Sequence, residues 1–212
     1  MITLYKNARI LSMKDDKIVF GELAVKDNKI AFIGDHYDGL TPDRIIDCEN
    51  NLLMPGFKDA HAHTAMVFAR SAADDLPLHD WLYDTIFPME AKFESNDIYH
   101  LTKLGILEYL TSGITAAFDM YFNPPEIIRA SEEMGFRTVI LATSDKEPIS
   151  LLKERYEDLN KEGSLISYQL GIHAEYTTSP ERIKAVADLA KELHAPTFTH
   201  VGETESEVQG CV

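Results

Sequence analysis

Short stretches in which apolar and polar residues alternate occupy the first fifty or so positions of the chain. They cover residues 2–11, 17–25, 29–33 and 44–48. Alternation with a period of two is typical of strands with one buried face. Asp27-Asn28, between the second and third stretches, is a dipeptide that tolerates a tight turn. The pattern predicts a small, β-sandwich-like domain over residues 1–51.

From Leu52 onward the apolar pattern switches repeatedly between strand-like and helix-like periods. The predicted strands cover residues 52–63, 115–121, 137–143, 168–173 and 197–201. The predicted helices cover residues 96–111, 125–134, 148–162 and 183–193. This alternation predicts an α/β domain with a parallel sheet and right-handed crossovers. Periodicity alone leaves open whether the sheet is open or part of a closed barrel.

Composition and charge narrow the class of protein. Hydrophobic residues make up 45% of the 212 positions, which is enough for a sizeable core and too many for a disordered chain. The net charge of −15 argues against nucleic acid or an anionic membrane as the partner. No apolar run approaches the ~18 residues of a membrane span. The two cysteines, Cys48 and Cys211, lie far apart in the sequence, which favours a reducing, cytoplasmic setting.

The strongest local signal for chemistry is a pair of histidines, His61 and His63, at the end of the first predicted strand of the α/β domain. Residues two apart on a strand point to the same face, so both imidazoles can reach one ion. The alternative is that the two are simply polar residues near a strand end.

Two further histidines end the fourth and fifth predicted strands, His173 and His200. The carboxyl edge of a parallel sheet is where ligands and catalytic groups collect. Glu203 follows His200 by three residues, and a carboxyl group beside a metal site can carry the proton that hydrolysis must move. The alternative for Glu203 is a solvated acid in an acidic run with Glu205 and Glu207.

The order of these residues resembles the amidohydrolase superfamily. The motifs that carry the resemblance are Pro55-Gly56, His61-x-His63, Asp119-Met120-Tyr121, His173 and His200-Val201-Gly202-Glu203. The segment between Ala73 and Glu90 is similar to the 5-methylthioadenosine/S-adenosylhomocysteine deaminases and to the related chlorohydrolases and aminohydrolases. The resemblance implies a (β/α)8 metal-dependent hydrolase barrel after a small N-terminal β domain, with residues 52–212 supplying about the first five strands.

The resemblance also implies roles for individual residues. His61, His63 and His200 would be the metal ligands. Glu203 would be the catalytic acid/base, protonating the ring nitrogen beside the attacked carbon while touching the substrate. Glu90 would bind the ribose hydroxyls, His173 would contact the purine, and Trp81 would line the pocket. Without the resemblance, we would interpret Glu90 as an exposed acid at a helix start and Trp81 as a core aromatic residue.

Residues 168–178 contain no lysine, whereas binuclear members of the superfamily carry a bridging lysine on the fourth strand. One divalent ion is therefore expected, with Zn²⁺ favoured and Fe²⁺ as the alternative because imidazole discriminates weakly between them. Metal-bound hydroxide would attack the carbon that bears the amino group, and ammonia would leave.

The expected function is hydrolytic deamination of an adenine nucleoside resembling 5-methylthioadenosine or S-adenosylhomocysteine, at a carbon–nitrogen bond of a cyclic amidine. A related hydrolase acting on guanine, cytosine or a triazine is the alternative within this class. A non-catalytic α/β module whose histidines bind metal or pack is the alternative from another class. The expected partner is a small nucleoside or heterocycle, with self-association left open.

Two departures from the superfamily pattern qualify these expectations. The sequence ends at Val212, before the sixth-strand histidine and the eighth-strand aspartate that complete the family's site, so these residues are expected to be the N-terminal portion of a longer deaminase and inactive alone. In addition, residues 141–144 lack the arginine expected near the third strand, and Glu175 stands where proline is common. Both features argue against S-adenosylhomocysteine itself and leave a less anionic nucleoside or another aminated ring as the expected substrate.

Overall fold

A computed structural model describes residues 1–141 and 147–210 of the chain. The chain divides into two compact units, Met1–Gly56 and Phe57–Val212. The division falls after Gly56, whereas the sequence pattern predicts a boundary after Asn51. Expectations that concern residues 142–146, Cys211 and Val212 lie outside the described residues.

The first unit is a single sheet whose strands, as described, are β1 (Ile2–Leu11), β2 (Ile18–Lys26), β3 (Lys29–Gly34), β4 (Arg44–Asp47) and β5 (Leu52–Leu53). β1, β2 and β3 pair as antiparallel neighbours, while β4 and β5 both pair with β1 in parallel. Ala8, Ile10 and Leu23 form its small core. The predicted strand over residues 52–63 is therefore interrupted, because Leu52 and Leu53 belong to this sheet and the chain resumes as a strand only at Phe57.

The second unit contains a parallel sheet whose described strands are β6 (Phe57–Ala62), β7 (Ile114–Met120), β8 (Arg137–Leu141), β9 (Ile166–Gly171) and β10 (Thr197–Phe198). The strands lie side by side in chain order, and every neighbouring pair is parallel. This confirms the predicted α/β domain and is the architecture of part of a (β/α) barrel.

Helices connect successive strands of this sheet. In the described residues they are α1 (Leu78–Asp80), α2 (Phe87–Glu90), α3 (Ser95–Thr111), α4 (Pro124–Met134), α5 (Ile149–Leu159), α6 (Pro180–Leu193) and α7 (Glu205–Gly210). Short 3₁₀ segments span Thr64–Ala69 and Glu175–Thr177, and a π-helical turn spans Trp81–Ile86. None of the helices in the described ranges combines the length and the apolar character needed to cross a membrane.

Local sequence signals explain where the longer helices begin and end. Glu94 and Asp97 form a capping box at the start of α3. The Ser179 hydroxyl accepts a hydrogen bond from the Arg182 N–H at the start of α6, where Pro180 occupies the first turn. Gly135 ends α4 with a φ of 65°, in the left-handed region that glycine adopts readily. The helices pack on one face of the sheet around Ile127, Ile140, Leu152, Tyr168 and Leu170, all fully buried.

A close approach between α3 and the 3₁₀ segment fixes the chain immediately after β6. A Cβ atom at Gly105 would lie 2.7 Å from both the Cγ2 and the carbonyl oxygen of Thr64. Glycine is thus required in the middle of a helix, where it ordinarily costs about 1 kcal/mol relative to alanine. The sequence tolerates that cost because it lets α3 contact the backbone that follows His63.

The G105A substitution is therefore expected to destabilise the protein, although alanine favours helices. We expect the free energy of unfolding to fall by about 1–3 kcal/mol, since Thr64 must move. Urea denaturation measures the change. G210A is the matched control, because apart from its chain neighbours and the backbone of its own helix, no heavy atom of the described residues lies within 4 Å of that Cβ position. An unchanged or raised stability in G105A would show that the contact can relax freely.

Asp119 on β7 is the second group that holds the chain immediately after β6. Its side chain is fully buried, and its Oδ1 accepts a hydrogen bond from the Thr64 N–H at 2.9 Å. Burial raises the pKa of Asp119 to about 6, with the Thr64 hydrogen bond opposing the rise. The folded state therefore favours the protonated carboxyl more than the unfolded chain does.

This raised pKa predicts a specific pH dependence of stability. The contribution of Asp119 is fully present below about pH 4 and is lost as the pH rises through about 6. Relative to wild type, D119N should therefore gain stability as the pH rises from about 4 to about 7, by about 3 kcal/mol at most. Urea titrations in the presence of a chelator test this, with E154Q, an exposed acid on α5, as the control for removing one negative charge. A pH-independent difference for D119N would contradict the assignment.

Candidate metal centre and substrate cavity

Three histidines come together at the carboxyl edge of the parallel sheet. His61 lies on β6, His63 directly follows that strand, and His200 lies two residues after β10. Their potential ligand atoms all lie within 4.8 Å of one another, and the Nε2 atoms of His61 and His200 are 3.2 Å apart. Two nitrogens bound to one tetrahedral zinc at ~2.0–2.1 Å would lie about 3.3 Å apart. The three imidazoles thus fit a single divalent ion.

Main-chain carbonyl groups fix the orientation of two of these imidazoles. His63 Nδ1 lies 2.6 Å from the carbonyl oxygen of Met120, and His200 Nδ1 lies 2.7 Å from that of His173. A carbonyl oxygen can only accept, so each Nδ1 must carry the proton and donate it. Each Nε2 therefore keeps the lone pair that a metal requires.

The local environment favours the neutral form of two imidazoles, those of His63 and His173. Burial lowers the pKa of His63, and its neighbours His61 and His200 lower it further. Burial and the nearby His200 and His63 rings lower the pKa of His173 to about 4. A neutral imidazole is the form that binds metal or accepts a hydrogen bond.

His173 lies beside the cluster, with its ring centroid 4.7 Å from that of His200. Its Nδ1 is 2.8 Å from the Thr177 hydroxyl, which in turn donates to the carbonyl oxygen of Ala174 at 3.2 Å. Because that hydroxyl uses its proton on Ala174, His173 must donate from Nδ1. Its Nε2 is then a hydrogen-bond acceptor.

Glu203 is exposed and its carboxylate contacts one tyrosine. The hydroxyl of Tyr176 donates to Oε2 of Glu203 at 2.7 Å. Burial, together with this carboxylate, raises the pKa of Tyr176, so the hydroxyl remains a donor. Glu203 is thus hydrogen-bonded and lines a cavity with His63 and His200, which differs from the alternative of a purely solvated acid.

Glu90 lies at the end of α2 and is half-buried, which differs from an exposed acid at a helix start. Its Oε1 accepts a hydrogen bond from the Tyr121 hydroxyl at 2.6 Å. Burial raises the pKa of Glu90, and the Tyr121 hydrogen bond opposes the rise. Trp81 is also half-buried and begins the π-helical turn that precedes α2.

One cavity of about 230 Å³ joins most of the residues that the sequence singles out. His63, His173, His200, Trp81, Glu90 and Glu203 all line it. Leu82, Ile86 and Phe87 supply much of its apolar wall. A second cavity of about 490 Å³ shares Leu78, Leu82 and Tyr176 with the first. His61 lines a neighbouring cavity with Phe118 and Phe198.

The sequence analysis gave no role to Tyr121 and Tyr176, the two tyrosines whose hydroxyl groups bind the carboxylates. Both line the cavity, and each follows the carboxyl end of a parallel strand. That position is the signal that could have found them, since side chains there face the functional edge of the sheet.

Curated relatives match this chain over nearly its whole length. It is 36% identical over 223 aligned positions to a 5-methylthioadenosine/S-adenosylhomocysteine deaminase of Thermoanaerobacter pseudethanolicus, covering 99% of this chain and 51% of the relative. It is also 36% identical to a 5'-deoxyadenosine deaminase of Methanobrevibacter smithii, covering 97% of this chain and 49% of the relative. The chain thus spans about half the length of the curated relatives it matches.

A solved structure supports the same relationship. The crystal structure of an adenosine deaminase from Xanthomonas campestris with bound zinc superposes with a TM-score of 0.88 at 27% identity. The match covers 99% of this chain and 51% of that one. The sequence profile of the amidohydrolase family matches residues 52–212, and the chain belongs to that family.

Proposed function

We propose that the protein is a metal-dependent deaminase of an adenine nucleoside, releasing ammonia by hydrolysis of a carbon–nitrogen bond. The observation that carries this proposal is a cluster of three imidazoles, two of which, His63 and His200, line one cavity together with the carboxylates of Glu203 and Glu90. The names of the relatives, which are deaminases of adenosine derivatives, favour this chemistry over other hydrolyses in the family.

His61, His63 and His200 would hold one ion, with Zn²⁺ preferred and Fe²⁺ as the alternative. The 3.2 Å separation of two Nε2 atoms supports a shared ion, and the absence of lysine from residues 168–178 argues against a bridged pair of ions. A divalent ion bound there would lower the pKa of a coordinated water to about 7 and so supply a nucleophile at neutral pH.

Glu203 would carry the proton that the reaction moves. Water adds to the ring carbon that bears the amino group, and one of its protons goes to the adjacent ring nitrogen. The proton left on the new hydroxyl group moves to the amino group, and the carbon–nitrogen bond breaks to release ammonia as the carbonyl forms. Glu203 follows the His200 ligand by three residues, and Tyr176 holds one of its two oxygens. A carboxyl group so placed can deliver a proton to the ring nitrogen.

The remaining cavity residues would bind the nucleoside. Glu90 would accept hydrogen bonds from the ribose hydroxyls while Tyr121 holds its other side. His173 Nε2 would accept a hydrogen bond from an N–H group of the purine, and Trp81 would provide an apolar wall. Among the described residues the linings of the two adjoining cavities contain no lysine or arginine, which favours a nucleoside with an uncharged 5' substituent over S-adenosylhomocysteine.

In this proposal residues 52–212 belong to the metal-binding barrel domain and residues 1–51 to a small β domain. The partner would be a small molecule in the cytoplasm. The net charge of −15 supports the exclusion of nucleic acid and anionic membranes.

Metal titration tests the ligand set directly. The protein should bind one zinc ion, and H63A or H200A should weaken binding at least 100-fold because each removes a ligand whose orientation the backbone fixes. Competition with a chromophoric chelator measures the affinity. H194A, which changes an exposed histidine after α6, should bind zinc like wild type. Two tightly bound ions, or full affinity in H200A, would contradict the proposed site.

The E203Q substitution tests the proton-transfer role. In the protein produced from the complete gene, we expect kcat/KM for 5-methylthioadenosine to fall by about 10²–10⁴-fold while zinc content is retained. Ammonia release measures the rate, and E205Q, an exposed acid on α7, is the control. Turnover of E203Q at the wild-type rate would remove the role. Faster wild-type turnover of guanine, cytosine or an aminotriazine would instead assign the related ring hydrolases.

A further inference from the structure

The segment that follows His200 contains three glutamates that occupy different environments. Glu203 and Glu205 are exposed, whereas Glu207 is only 7% exposed although it lies on the same short helix as Glu205. Lone pairs of a buried carboxylate need partners, and burial without them is costly. The contacts of Glu207 therefore indicate what this segment is built to hold.

The Glu207 carboxylate accepts backbone N–H groups from three successive residues. Its Oε1 is 2.7 Å from the nitrogen of Gly202, and its Oε2 is 2.6 Å from that of Glu203 and 3.4 Å from that of Thr204. Burial raises the pKa of Glu207, but these amide hydrogen bonds, together with a side-chain hydrogen bond to Glu175, outweigh it and hold the pKa below its ordinary value. A charged acceptor of this kind makes short, strong hydrogen bonds to amides.

These contacts differ from those of an ordinary helix cap. Thr204 and Glu207 do form a capping box, since the Glu207 N–H donates to the Thr204 hydroxyl at 3.2 Å. In a capping box, however, the glutamate reaches back to the N–H of the cap residue, which here is the longest of the three contacts. The two short contacts extend beyond the helix, to Gly202 and Glu203.

Glu203 is consequently held at two points. Glu207 binds its main-chain N–H, and Tyr176 binds its side-chain Oε2. The hydrogen bond from Tyr176 fixes one carboxylate oxygen of Glu203. The position of the whole side chain also depends on the backbone of Glu203, which Glu207 holds. Displacement of a reacting group by about 1 Å can cost about 100-fold in rate.

We infer that Glu207 is a positioning residue that holds the backbone of Glu203 and thereby aims the acid/base carboxylate. This inference rests on the proposed function, because the proton-transfer role of Glu203 is itself proposed. Glu207 touches neither the substrate nor the metal ligands in this assignment, and its effect on turnover is transmitted through the amides of residues 202–204.

Three variants of the protein produced from the complete gene test the inference. E207A removes all three contacts, E207Q keeps one carbonyl acceptor, and T204A removes the hydroxyl half of the capping box while leaving the Glu207 carboxylate in place. We expect kcat to fall by about 10–100-fold in E207A and by an intermediate factor in E207Q. KM should change by less than about 3-fold and zinc binding should be retained, since neither substrate contacts nor ligands are removed.

T204A separates positioning from helix capping. It should lower the thermal midpoint, because loss of either half of a capping box destabilises the helix, although by less than E207A, which also loses the contacts to Gly202 and Glu203. It should leave kcat within about 3-fold of wild type. Equal losses of kcat in T204A and E207A would overturn the inference and assign Glu207 to helix stability alone. Wild-type kcat in E207A would also overturn it.

Amide hydrogen exchange keeps the inference testable if the proposed function fails. In E207A the amides of Gly202, Glu203 and Thr204 should exchange at least about 10-fold faster than in wild type, with little change in α6. Unchanged protection would overturn the positioning role whatever the activity. If wild type deaminates none of the substrates while the exchange result holds, the failure belongs to the proposed function and not to the contact of Glu207 with this backbone.

Discussion

The curl of the parallel sheet is the constraint on which the cluster of three histidines depends. β6 and β10 are the outermost strands of the described sheet, four neighbour spacings apart. In a flat sheet those spacings would separate them by about 19 Å, yet His61 Nε2 and His200 Nε2 lie 3.2 Å apart. Contact between the rings of Phe118 on β7 and Phe198 on β10, with centroids 4.8 Å apart, shows the same curvature on the inner face.

Given that curl, hydrogen bonds between the ends of the strands place each side chain. The chain after β6 is fixed from β7 by Asp119, whose carboxylate accepts the Thr64 N–H, and from α3 by the absence of a side chain at Gly105. The chain after β10 is fixed from β9, because the His173 carbonyl oxygen accepts both the backbone N–H and the Nδ1–H of His200. The site is therefore a property of neighbouring strands and not of single motifs.

Periodicity and cap residues were sufficient to predict the alternation of strands and helices, and the i, i+2 spacing of His61 and His63 placed both on one edge. The interruption of the predicted strand at Pro55-Gly56 was not predicted. Leu52 and Leu53 pair with β1, more than forty residues earlier in the chain, and local periodicity does not indicate which sheet a strand joins. The Tyr121–Glu90 and Tyr176–Glu203 hydrogen bonds join residues 31 and 27 positions apart across loops, which no local pattern encodes. Thr204-x-x-Glu207 was readable as a capping box, but its acidic neighbours made it resemble a solvated run.

The use of main-chain carbonyls to orient the proposed metal ligands has a consequence for how such a site can change in evolution. Met120 and His173 each provide a carbonyl oxygen to one of the clustered histidines, while both residues also line the cavity. Every amino acid has that carbonyl, so substitution of either side chain reshapes the cavity wall while leaving the acceptor in place. Under the proposed function, substrate preference could thus drift at positions 120 and 173 without dismantling the histidine cluster, which would let one fold serve different substrates.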